Sequence, residues 1–244
     1  MVVWFLISLI NPMVYLLFWR GAYTTLPQSS GWQLSGFASY YFLLVIASSF
    51  LLVHIEEYIA YYDIEKGYLA NHLLKPVSYF WYQFFHELPY RVVQGLFGLL
   101  VFFFFFFGFP GLIQLSQQTD VFFLSIILVI GGYMLSFLFK IILGLSALFT
   151  TDFTGLSELL GVLVLIFGGF VVPLDLFPQQ FTHIISYLPF PYMFYYPIIA
   201  IQGRLDSVEL LQLIVKQGVW ILGFVFFYKF VWKKGIKLFT SVGR

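Results

Sequence analysis

A large share of the side chains that could do chemistry lies between His54 and Arg91. That stretch holds five of the eleven acids (Glu56, Glu57, Asp63, Glu65, Glu87), three of the four histidines and three of the twelve lysines and arginines. The chain as a whole is 61% hydrophobic and 9% charged, so charge here is gathered and not scattered. The first chemistry to test is metal binding. His54-Ile55-Glu56-Glu57 begins like a metal-holding helix, but the second histidine that such a helix needs falls at Tyr58. His54, His72 and His86 are too far apart to form a local site, and no cluster of three metal ligands is present. No G-x-S-x-G elbow and no G-x-x-x-x-G-K-[ST] phosphate loop occurs, so the chain holds neither a hydrolase nucleophile nor the usual means of binding ATP. No cysteine is present, which excludes disulfides and thiolate metal sites. A net charge of +1 gives no electrostatic case for nucleic acid. What remains for Glu65, Lys66, His72 and Lys75 is recognition, not catalysis.

The elements that position these residues follow from hydropathy. Mean hydropathy is +0.93, and soluble domains carry roughly 25% charged residues, so a water-soluble core is excluded. Apolar runs approach the roughly 17–25 residues that cross a hydrocarbon layer about 30 Å thick, and no segment alternates as a transmembrane barrel strand would. The expectation is an all-α polytopic membrane protein, one transmembrane domain over 1–244. Its six spans are predicted near 1–19, 37–55, 88–109, 120–142, 156–172 and 217–232. The first run lacks a basic leader and a good cleavage site, so it reads as a retained span. Phe102 to Phe107 is a six-phenylalanine run that suits lipid or helix packing, or an aromatic substrate wall.

Orientation comes from basic residues near span ends. With the N-terminus inside, Lys66, Lys75, Arg91, Lys140, Lys229, Lys233, Lys234, Lys237 and Arg244 fall on the inner side. Arg20, Arg204 and Lys216 fall outside. Both termini and the 54–91 segment are therefore expected in the cytoplasm. Lys140 is expected to snorkel to the inner boundary.

Span interiors are nearly free of charge, which leaves ion-coupled transport without coupling carboxylates. Energy for any transport then has to come from a partner. Within 63–76, Asp63 to Gly67 reads as a polar turn, and Tyr68 to Lys75 as a short amphipathic helix stopped by Pro76. Leu69, Leu73 and Leu74 are predicted to share one face. Such a helix suits a groove on a soluble protein, or the lipid headgroups. On the opposite side, Pro173, Pro178, Pro189, Pro191 and Pro197 break an apolar segment. Irregular backbone at membrane depth has to be buried or line a cavity, so short re-entrant helices are predicted near 175–188 and 190–202. A loop lying along the interface is the alternative. Asp175 and His183 read as polar residues of an outer lid.

Glu65-Lys66-Gly67-Tyr68-Leu69 followed by Leu73-Leu74-Lys75-Pro76-Val77-Ser78 resembles an element of ABC-2 type transporter permeases, the membrane subunits of ABC exporters. Gly169 to Pro178 is similar to a second, with Leu188-Pro189-Phe190, Tyr195-Tyr196-Pro197 and Gly203-Arg204-Leu205 after it. Trp232-Lys233-Lys234-Gly235-Ile236-Lys237, ending in Ser241-Val242-Gly243, resembles a third. The resemblance runs from Trp4 to the end. It implies a multi-pass permease subunit of the bacterial cytoplasmic membrane, without a catalytic site or bound metal. It implies a second permease subunit, the same or different, and a separate cytoplasmic ATPase that holds ATP and Mg. On this resemblance Glu65, Lys66, Tyr68, His72 and Lys75 form the coupling helix that contacts the ATPase. Pro173, Asp175, Phe177, Pro178, Pro189, Phe190 and Pro197 form an outer gate. The resemblance also implies an amphipathic segment before the first span, where this sequence already reads Met1-Val2-Val3-Trp4-Phe5. The expected activity is export of an amphipathic or hydrophobic compound. The alternative is a membrane scaffold or assembly factor with a non-ATPase partner.

Overall fold

The computed structural model describes residues 32–111, 113–150 and 152–239, with isolated positions 14, 17, 18 and 21 ahead of them. Among the described residues every regular element is helical. The predicted span at 1–19 and both chain ends lie almost wholly outside the described residues.

Helix α1 is Leu34–Leu51; α2 is Glu56–Tyr58 and passes straight into a π-helical stretch, Ile59–Glu65. Then come α3 (Leu69–Leu73), α4 (Tyr79–Gly108), α5 (Thr119–Leu145) and α6 (Phe153–Phe167). Three short helices follow, α7 (Gln179–Ile185), α8 (Phe190–Met193) and α9 (Tyr195–Ile201), before the long α10 (Ser207–Gly235). Local chemistry marks several starts. Asp152 caps α6 by accepting the Gly155 amide at 2.9 Å. Asp206 and Glu209 form a reciprocal capping box at the head of α10.

Four stretches are long and apolar enough to cross a membrane: Leu34–Glu65, Tyr79–Gly108, Thr119–Leu148 and Ser207–Gly235. They contain the predicted spans at 37–55, 120–142 and 217–232, and all but the last residue of 88–109. The helices α4 and α10 begin well before those predicted starts. A helix of 30 residues is about 45 Å long against a hydrocarbon thickness of about 30 Å. Hydropathy therefore reports only the part of α4 that needs lipid. The predicted span at 156–172 is the exception. Helix α6 has 15 residues, about 22 Å at the usual rise, which is shorter than a full crossing. Its end is set at Gly169, whose φ of +85° stops the helix. A side chain there would also meet the Tyr40 hydroxyl at 2.5 Å. The carbonyls released at this end are taken up by α1: Tyr40 donates to Gly169 O and Tyr41 to Val171 O, both at 2.8 Å.

Helix α5 is the central post, with α1, α2, α8, α9 and α10 packed against it. Glycines let the backbones close in. At Gly132 a side chain would meet the Met193 carbonyl at 2.8 Å, and at Gly144 it would meet Ile59 Cβ at 2.8 Å and the Glu56 carbonyl at 3.0 Å. Gln217 of α10 is buried and donates through Nε2 to Leu128 O (3.0 Å) and Tyr192 O (2.8 Å), joining α10, α5 and α8. The phenylalanine run divides: Phe105 packs on Phe42 at 4.9 Å, while Phe103, Phe104, Phe106 and Phe107 are exposed. Four of the six thus present an outward apolar surface, as lipid packing requires.

Contacts sort into two ends. One gathers residues 54–91, Lys140, Leu148 and the end of α10, where Tyr79 stacks on Trp232 at 4.8 Å. The other gathers Trp32, Gln114, Asp120, Asp175 and Arg204. The charged segment and the polar lid residue Asp175 are therefore at opposite ends of the bundle.

Gly144→Ala should destabilise the protein by about 1–3 kcal/mol through overpacking between α2 and α5. Gly161→Ala, where nothing lies within 4 Å, should be neutral or stabilise by up to about 1 kcal/mol. Unfolding of the two variants in detergent, compared with the parent, checks both signs.

Candidate functional site

The site begins with Asp63, which is not in a polar turn. It belongs to the π-helical stretch and is 0% exposed. The turn is shorter, Lys66-Gly67-Tyr68, and Gly67 takes a φ of +77° there. Asp63 Oδ2 accepts from the Tyr79 hydroxyl at 2.5 Å and from Gln83 Nε2 at 2.7 Å. His72 Nε2 stands 3.6 Å from Oδ1, which has no hydrogen-bond partner among the described residues. One carboxylate thus ties together α2, α3 and the first turns of α4. Burial lowers the His72 pKa, and the Asp63 carboxylate pushes it the other way.

Around this hub the predicted contact residues separate. Glu65, Lys66, Tyr68 and Lys75 are exposed. Lys66 lies over the Tyr61 ring and Lys75 over the Tyr82 ring, each at 5.1 Å. His72 faces inward, with 10% of its side chain exposed, packed on Tyr79 and Tyr82. Leu69, Leu73 and Leu74 do not share a buried face. Leu69 is fully buried, whereas Leu73 is exposed and Leu74 is 86% exposed. Helix α3 is too short for a stripe, and its orientation is fixed by His72 and Leu69. The outward surface accordingly mixes Glu65, Lys66 and Lys75 with Tyr68, Leu73, Leu74 and Val77.

Behind it runs a polar seam. Tyr79, Gln83, Glu87 and Arg91 follow one another at four-residue intervals on α4, and all four are buried. Arg91 Nε donates to Glu87 Oε1 at 2.5 Å and Nη1 to Gln94 Oε1 at 2.8 Å, and Nη2 lies 3.3 Å from His54 Nδ1. Lys140 does not snorkel. It is buried and pairs with Glu56 at the head of α2. An i, i+4 run of polar residues in an apolar helix was the available signal for this seam, and single charges read one at a time do not reveal it.

At the opposite end, Asp175 accepts from Trp32 Nε1 at 2.7 Å and faces Arg204 Nη1 at 3.4 Å. The guanidinium lies 3.5 Å over the Trp32 ring. Burial lowers the Arg204 pKa, and Asp175 raises it. An open pocket of about 300 Å³ lies here, lined by Asp175, Thr182, Tyr195, Tyr196 and Arg204 among apolar residues. Of the other predicted gate residues, Phe177 is half-buried, Pro178 exposed and Pro173 buried. Pro189, Phe190 and Pro197 are buried, with Pro197 against Gly132 of α5. Phe190 meets Phe139 at 5.7 Å and Phe167 at 6.4 Å.

The family of ABC-2 family transporter proteins matches residues 9–243, nearly the whole chain. The chain belongs to the ABC-2 transporter family. No curated protein and no solved structure matches it. As an ABC-2 transporter protein with several long apolar helices, it is a multi-pass membrane protein.

Asp63→Ala should leave the Tyr79 hydroxyl and the Gln83 amide without their acceptor, at about 1–3 kcal/mol for each orphaned group. Trypsin cleavage after Lys66 in the intact membrane protein should then speed up by about tenfold or more. Asp63→Asn keeps an acceptor oxygen and should cleave at close to the parent rate.

Proposed function

We propose that this chain is the permease subunit of an ATP-driven exporter, moving an amphipathic or hydrophobic compound out of the cytoplasm of a bacterial cell. A separate ABC ATPase, which binds ATP and Mg, docks on the 54–91 segment, and a second permease subunit completes the pathway. The observation that carries the reading is the exposed surface of Glu65, Lys66, Tyr68, Leu73, Leu74 and Lys75, backed by the buried Asp63 hub. A surface that presents charge and apolar area together on a fixed base suits a protein groove. A rigid base also lets force applied to the surface reach α4.

Both termini and the 54–91 segment lie in the cytoplasm in this reading, as the basic residues near Lys229 to Lys237 favour. The 173–205 segment then lies at the outer end, with α7, α8 and α9 as re-entrant helices reaching along α5, and Asp175 near the exit. Membrane lipids cover the exposed phenylalanines of α4.

Lys66→Glu with Lys75→Glu should weaken ATPase association about tenfold or more, the scale of reversed interface charges, with membrane insertion unchanged. Co-purification and ATP hydrolysis of the reconstituted complex measure this. Equal ATPase recovery in the double variant would overturn the docking surface, and a tagged parent that brings down a non-ATPase partner alone would favour a scaffold. His183→Cys, in a chain without native cysteine, should react with a membrane-impermeant thiol reagent from outside. Reaction from the cytoplasmic side alone would reverse the topology.

A further inference from the structure

Helix α1 and helix α4 run antiparallel, and their contacts keep register along the whole seam. Ser49 and Ile46 would meet a side chain at Gly98, and Phe50 would meet one at Gly95. His54 meets Arg91, and Asp63 meets Gln83 and Tyr79. Within that register both backbones weaken at one level. Helix α1 ends at Leu52, whose φ of −84° and ψ of 94° are extended, and helix resumes only at Glu56. Facing this gap, α4 carries Pro89 in its interior, which removes one backbone hydrogen bond and crowds the carbonyl of Phe85.

We propose that residues 56–88 form a lever that pivots at this level against the outer halves of α1 and α4, with Arg91 as the residue that positions the pivot. The proposal rests on the docking function given above. On the docking side, Asp63 joins α2 to α4, so the two arms of the lever move together. On the far side, Gly98 admits the Ser49 hydroxyl and the Ile46 carbonyl of α1, and Gly95 packs on the Phe50 side chain. Between them only residues 52–55 and the turn at Pro89 are free to absorb changes in φ and ψ, as a hinge requires. Arg91 reaches back over the proline to Glu87 and across the gap to His54. His54 Nδ1 also lies 3.1 Å from Leu52 O. Nδ1 donates to that carbonyl in one tautomer and accepts from the guanidinium in the other, so a shift between the two contacts moves the ring proton between Nδ1 and Nε2. The lever's bearing on α5 is the Glu56–Lys140 pair and the flat surface of Gly144 beneath Ile59.

The test uses the full transporter with its ATPase in lipid nanodiscs, in a His183→Cys background. Amide hydrogen exchange of peptides covering 52–55 and 86–91 should be about tenfold faster than in the flanking turns of α1 and α4. In the parent, the rate of thiol labelling at position 183 should differ between the nucleotide-free and vanadate-trapped states. Pro89→Ala restores the missing backbone bond, so it should fold normally and hydrolyse ATP within about twofold of the parent, while the labelling ratio falls to about one. Arg91→Met should lose the ratio in the same way, and Arg91→Lys, which keeps the charge, should retain at least half of it. A Pro89→Ala variant that keeps the full ratio overturns the lever, as does hydrogen exchange at 52–55 and 86–91 no faster than in the flanks. A parent that neither hydrolyses ATP nor changes its labelling overturns the docking function, and hydrogen exchange still decides the hinge.

Discussion

A charge taken out of water has to be answered where it lies, and in this chain that rule organises one whole end of the molecule. Asp63, Glu87, Arg91, Glu56 and Lys140 are all buried, and each finds its partner on a neighbouring helix or one turn away. Breaking a buried pair costs about 3–5 kcal/mol, whereas forming it yields little. These contacts therefore act less as glue than as specification: they fix which turn of α2 faces which turn of α4 and of α5. Helix α3 and its exposed residues inherit their position from that register.

The other end is specified differently. Tyr40 and Tyr41 hold the carbonyls freed at the end of α6, and Gln217 holds two carbonyls deep in the bundle. Here side chains make up for backbone that has stopped being helical, as the apolar surroundings demand. Glycines on α5 allow the short helices to approach closely enough for these bonds to form. The two ends thus solve different problems, charge burial in one and backbone satisfaction in the other, on a shared central helix.

Much of this was legible in the sequence. Apolar runs located the hydrocarbon part of four long helices, because hydropathy measures what lipid demands. The same property made the full length of α4 invisible, since its first turns carry the polar Tyr79, Gln83 and Glu87. Asp63 was read as part of a turn because Asp, Lys and Gly in sequence favour one. The Tyr79 and Gln83 side chains, sixteen and twenty residues away, instead make its burial possible. Lys140 was expected to reach for water, and Glu56 offered a nearer partner. The proline-rich segment was read as broken helices, and they are broken. Their alignment along α5 was not readable, since it depends on Gly132 and Gln217, neither of which signals a contact on its own.

The Gln217 bridge also bears on how the chain is made. Synthesis runs from the N-terminus, so α5 and the segment carrying Tyr192 leave the ribosome before α10. Until α10 arrives, the Tyr192 carbonyl lacks the amide that holds it, and α8 rests on the central helix through packing alone, such as Phe190 on Phe139. The proline-rich segment thus reaches its final seat only when the last helix has entered the membrane. A chain truncated before that point would retain the buried charges around Asp63 and Arg91 and still lack a settled opposite end.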